Sequence, residues 1–162
     1  MTISQSMKRI ALLATLVVFA AMLASDVSSF AADRGTPAEA KAMLQQAIAH
    51  YKSVGRKQAL TDFTAKKPPF GDHDLYVVCF NSDHIVIANG GFASHVGSRG
   101  DVMVDMDGNG VAEAAWKVTS ATGEGVVRYR WLNPATRTME VKMTFLARVG
   151  ADVCGVGAYS PM

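Results

Sequence analysis

Lys142 stands between Val141 and Met143, in a run from Met139 to Val149 where Val141, Met143 and Phe145 alternate with Lys142 and Thr144. A lysine on an otherwise apolar strand presents its ammonium as a point charge, which suits a carboxylate. Upstream, Val127, Tyr129 and Trp131 alternate with Val126, Arg128 and Arg130. Tyr129 and Trp131 therefore share a strand face and form an apolar wall with hydrogen-bond donors at its edge. By the same alternation Arg128 and Arg130 fall on the opposite face. Tyr76, in the run Leu75 to Phe80, is a further donor. The competing structural reading is that strand aromatics serve a core and that a strand lysine guards an edge in water.

Two other sets of residues invite chemistry. Asp105, Asp107 and Asn109, followed by Gly110, match the first half of a calcium loop and are the metal candidates. Position twelve, counted from Asp105, should be a bidentate glutamate and is Trp116; Glu113 at position nine does not replace it. Asp, Asn and Gly are also what a tight turn before a helix uses, and that reading is preferred. The histidines are His50, His73, His84 and His95, and none sits at helical metal-ligand spacing from another. There is no Gly-x-Ser-x-Gly, no P-loop and no His-Glu-x-x-His. The sequence argues for no enzyme and calls for no cofactor.

The elements that must position these side chains come in a simple order. Thr36-Pro37-Ala38-Glu39 is a capping box with proline at the first helical position. Ala40, Met43, Leu44, Ala47, Ile48 and Tyr51 follow at helical period until Gly55. A short helix is expected over Arg56 to Phe63, then a break at Lys66-Lys67-Pro68-Pro69. Leu75 to Phe80 and Ile85 to Ala88 read as a hairpin around Asn81-Ser82-Asp83. A helix is expected over Val111 to Thr119. Three strands close the chain: Gly125 to Leu132, Met139 to Val149 and Val153 to Tyr159.

Residues 1–31 read as a secretory signal peptide. Lys8 and Arg9 precede the uncharged run Ile10 to Leu23, and Ser29-Phe30-Ala31 offers small residues for cleavage after Ala31. The rival reading is an uncleaved anchor helix, but the apolar run is shorter than the about 20 residues of a spanning helix, so cleavage is favoured and no stable membrane insertion is expected after it. Residues 32–162 are then one domain, periplasmic or secreted. The formal net charge of +2 gives no drive toward nucleic acid. Export also leaves two readings open for Cys79 and Cys154: a disulfide, or two small buried hydrophobes.

The stretch Val-Val-Arg-Tyr-Arg-Trp-Leu-Asn-Pro (126–134), Lys142 past the turn, and Gly155-Val-Gly157-Ala-Tyr159 resemble the single Cache domain of type 2. Leu75-Tyr76-Val77-Val78, the Asn81-Ser82-Asp83 turn and the Asp105 to Gly110 turn fit the same family. The resemblance implies an α+β, PAS-like antiparallel sheet of about five strands with a long N-terminal helix on one face. It implies an extracytoplasmic module that binds a small molecule, often a short carboxylate, on the other face. The implied ligand-binding residues are Tyr76, Asn89, Tyr129, Trp131 and Lys142, with Asn89 where many relatives carry histidine. It also sets the first and last strands side by side, which makes a Cys79–Cys154 bridge possible. The implied partners are the small-molecule ligand and a membrane sensor or receptor. The alternative is a non-catalytic accessory protein that docks on a partner through its sheet edge or long helix.

Overall fold

The structure is a computed structural model, and it describes residues 34–99 and 103–162. The segment read as a signal peptide lies outside the described residues. The first element, α1, spans Pro37–Val54. Its cap is reciprocal: Thr36 Oγ1 accepts the Glu39 N–H at 3.2 Å, and the Glu39 carboxylate accepts the Thr36 N–H at 2.7 Å. Helix α2 follows at once, Arg56–Thr64. The stripe Ala40, Met43, Leu44, Ala47 and Tyr51 is buried, so α1 owes its place to packing rather than to intrinsic propensity.

What that stripe covers is one face of an antiparallel sheet. Its strands are β1 (Gly71–Asp72), β2 (Leu75–Phe80), β3 (Val86–Asn89), β4 (Glu124–Leu132), β5 (Met139–Val149) and β6 (Asp152–Ser160). The order is β1-β2-β6-β5-β4, with β3 also paired to β2. The fold is α+β and PAS-like. The sixth strand beyond the five expected is the two-residue β1, too short to leave an alternation signal in the sequence. Ile85 was expected in β3, but it bridges Arg99 instead, and the strand starts at Val86. No helix among the described residues is long and apolar enough to cross a membrane.

Strand alternation splits the core in two. Under α1 lie Leu75, Val77 and Cys79 of β2, Cys154, Val156 and Ala158 of β6, and Ala147 and Val149 of β5. Cys79 and Cys154 are opposite each other across β2 and β6 and are joined as a disulfide on this face. On the other face, Val78, Phe80, Val153 and Leu146 pack against Met103 and helix α3 (Val111–Val118).

Two buried carboxylates tie the helical layer to the rest. Asp152, at the β5–β6 turn, accepts from Tyr51 Oη at 2.6 Å and from Arg56 Nε at 2.8 Å. Asp62 of α2 binds His50 Nε2 at 2.9 Å and Lys67 Nζ at 2.5 Å. Buried carboxylates are tolerated when donors meet them in this way.

Candidate functional site

The site grows from the register of β4, β5 and β6. Pairing sets Lys142 opposite Tyr129 on one side and opposite Tyr159 on the other. All three side chains then leave the same sheet face, the one turned away from α1. Lys142 is only 1 % exposed. Its Nζ lies 3.8 Å from the centre of the Tyr76 ring and 4.6 Å from that of Tyr159. Ring faces attract a cation. Among the described residues, no carboxylate pairs with this ammonium and no acceptor hydrogen-bonds it.

The neighbouring hydroxyls are committed to one another. Tyr76 Oη and Tyr159 Oη are 2.9 Å apart, and Tyr159 donates to the Leu132 carbonyl at 3.1 Å. Thr144 Oγ1 donates to Tyr129 Oη at 3.1 Å. Tyr129 and Trp131 meet edge to face at 5.9 Å. Burial pushes the hydroxyls of Tyr76, Tyr129 and Tyr159 above the ordinary tyrosine value. Burial also holds Lys142 well below the ordinary lysine value, opposed by the negative charge of Asp74. These are desolvation effects: in each case the charged form loses water.

Two glycines make room for this arrangement. A Cβ at Gly157 would lie 2.3 Å from Lys142 Cε, so the lysine stem can cross β6 only over a glycine. A Cβ at Gly91 would lie 2.4 Å from the Tyr76 ring, so the loop after β3 closes over the tyrosine for the same reason. That loop brings Phe92 against Tyr76 and stacks His95 on Phe92. His95 Nδ1 is buried and, among the described residues, has no hydrogen-bond partner.

Beside the aromatic group lies a polar floor. Asn133 Nδ2 donates to Asp74 at 2.9 Å and to Glu140 at 3.1 Å. Arg34 forks onto the Glu140 carboxylate, and the Gly35 N–H donates to Asp74 at 2.8 Å. Arg34 and its companion donors hold Glu140 down at about 2. The floor's carboxylates are thus already hydrogen-bonded, and Asp74 acts on Lys142 through its charge alone, without a hydrogen bond or ion pair.

Of the residues expected at a ligand, Tyr76, Tyr129, Trp131 and Lys142 come together on this face. Asn89 ends β3, and its Oδ1 accepts the N–H groups of Gly91 and Phe92, so it shapes the loop over Tyr76. Arg128 and Arg130 lie on the opposite sheet face, and Arg130 pairs with Asp107. Asp105 Oδ1 accepts the N–H groups of Asp107 and Asn109, each at 2.8 Å, the arrangement of a self-closed turn. A cleft of about 280 Å³ opens between that turn, α3 and Tyr129. A cleft of about 270 Å³ lies between α1 and β4–β5, lined by Leu44, Ile48 and Val126.

Tyr159, Thr144 and Gly157 complete the surroundings of Lys142 but were not among the expected site residues. One signal for them was available: Gly155, Gly157 and Tyr159 alternate, so two missing side chains and one aromatic share a strand face.

The fold has counterparts among solved structures. A methyl-accepting chemotaxis protein from Vibrio parahaemolyticus RIMD 2210633 is similar at 20 % identity and TM-score 0.62, over 75 % of this chain and 86 % of that one. The periplasmic sensor domain of a chemotaxis protein matches at 20 % identity and TM-score 0.58, over 74 % and 87 %. A Cache chemosensory domain whose structure concerns carboxylic acid recognition matches at 19 % identity and TM-score 0.58, over 74 % and 85 %. These likenesses are of fold. No curated protein matches the sequence. The family model described as single Cache domain 2 matches residues 12–151. The chain belongs to the single Cache domain 2 family.

Proposed function

We propose that this domain is an extracytoplasmic sensory module that binds a small organic monoanion, such as a short carboxylate, with Lys142 as its counter-charge. One observation carries the reading: Lys142 is fully buried yet has no ion-pair partner among the described residues. A buried lone cation is costly unless something compensates it. An anion between the aromatic rings would do so. Tyr76, Tyr159, Tyr129 and Trp131 would bound the ligand's apolar part. The solved neighbour concerned with carboxylic acid recognition supports this class. The periplasmic neighbour and the expected signal peptide at residues 1–31 support an exported domain. The reading requires binding and no catalysis. Occupancy would be passed to a membrane sensor or receptor.

A second reading has its own observation. Strand β4 is the edge of the sheet, and its Val126 and Leu132 are exposed. An accessory protein could dock a partner there. Edge strands of this kind are common, however, and the two arginines between these residues guard against pairing.

The test is a thermal-shift screen of refolded protein against short carboxylates, amino acids, purines and polyamines. A ligand at about 100 times its Kd adds about 2.7 kcal/mol, a shift of several degrees for a domain of this size. A carboxylate hit that disappears in Lys142→Met is the expected result. Silence across the panel would overturn the anion reading and turn attention to the β4 edge.

A further inference from the structure

The surroundings of Lys142 determine more than the sign of its ligand. Among the described residues, charged or titratable groups meet it from several elements. From β2 comes Tyr76, from β6 Tyr159 and from β4 Tyr129. On β5 itself, Glu140 shares the same face and is engaged by Arg34, Asn133, Thr136 and Thr138. Asp74, just before β2, is engaged by Gly35 and Asn133. The loop after β3 presents His95 behind Phe92. Helix α3, packed on this face, leaves Glu113 and Lys117 exposed. No group in this set supplies Lys142 with an adjacent negative charge or a free acceptor. Ring faces meet the amine, and they replace little of the water an ammonium loses.

We propose that the site takes up its anion together with one proton. Without ligand, Lys142 is a neutral amine; with ligand, it is an ammonium paired to the anion. The step balances as amine plus solvent proton plus anion giving the ammonium–anion pair, with one N–H bond formed and nothing oxidised. Occupancy then follows the product of anion and proton concentrations, so the domain reports acidity and anion jointly. The depressed proton affinity that burial imposes on Lys142 agrees with this. The inference rests on the anion-binding reading above, and its failure can be told apart from failure of that reading.

The experiment follows the lysine Cε resonances of full-length mature protein carrying ¹³C-lysine, titrated by NMR with and without 100 mM acetate. Lys142→Met assigns the signal, and Lys142→Gln serves the same purpose should the first variant unfold. The expected result is a Lys142 midpoint well below those of the other lysines, moving upward with acetate. Between the two midpoints, acetate affinity should fall about tenfold per pH unit, as linkage of a single proton requires. A Lys142 that titrates with the surface lysines in the absence of acetate would overturn the proton linkage and leave anion binding standing. A depressed midpoint unmoved by acetate, alongside a silent carboxylate panel, would overturn both.

Discussion

At the scale of single residues, Lys142 and Gly157 are a matched pair. Gly157→Ala would drive a methyl group to 2.3 Å from Lys142 Cε and 2.5 Å from Thr144 Oγ1. Overpacking of this kind costs about 1–3 kcal/mol. Unfolding in urea should show that loss, and anion binding should fall with it because the lysine stem is displaced. In a Lys142→Ala background the same glycine substitution should cost markedly less, and the double-mutant cycle measures the coupling directly. Equal costs in both backgrounds would mean that the stem does not lie where β6 is bare. Tyr159→Phe removes a hydroxyl that joins Tyr76 to the Leu132 carbonyl. Denaturation should register about 1–2 kcal/mol for the lost bonds and the acceptors left behind. Lys142 itself was legible as a cation among apolar neighbours. Its burial was not, because whether a strand position is covered depends on what packs over it, and Tyr76 of β2 and the loop after β3 lie far away in sequence.

At the scale of elements, the joints between strands and helices are polar and buried, and each has a sign. Glu140 is held at about 2, against an ordinary value of 4.5, chiefly by its hydrogen bonds from Arg34. A depressed carboxyl contributes stability that is fully present above about pH 4.5 and is lost as pH falls toward 2. The shift corresponds to roughly 3 kcal/mol. Arg34→Ala should therefore move the acid-unfolding midpoint upward while leaving stability near pH 9 lower by a constant amount. An unchanged acid limb would show that the pair is not formed in solution. The β2–β6 joint is covalent. The Cys79–Cys154 bridge closes a separation of 75 residues, so reduction should lower stability by about 2–4 kcal/mol. Denaturation with and without reductant checks it, and the Cys79→Ala/Cys154→Ala double variant should match the reduced protein. The helices were legible because the Thr36–Glu39 cap and the Ala40-to-Tyr51 stripe are local signals. The Asp74–Asn133–Glu140 floor was not, since its members are 59 and 7 residues apart and no local pattern links them.

At the scale of the whole molecule, the sheet order gives the two faces different cover. Helix α1 packs on the face that carries the disulfide, leaving the opposite face to α3 and the loops, and loops close over a ligand more readily than a long helix lifts away. The alternation of β4, β5 and β6 made these faces readable from sequence; the family resemblance supplied only the pairing of the first and last strands, and the full order was not legible because pairing partners are chosen by topology. The same view bears on the start of the mature chain. Arg34, Gly35 and Thr36 are anchored to Glu140, Asp74 and Glu39 respectively. Cleavage after Ala31 would leave all three anchors intact, whereas trimming beyond Gly35 would take Arg34 from Glu140 and the Gly35 N–H from Asp74 together. Mass spectrometry of the exported protein should therefore give a chain that begins at Ala32. A variant begun at Pro37 should unfold at lower temperature and on a higher acid limb, as Arg34→Ala does. A mass that retains residues 1–31 would instead mean that the apolar run Ile10 to Leu23 holds the domain at the membrane, and a receptor partner would then be met as a neighbour in that membrane rather than captured from solution.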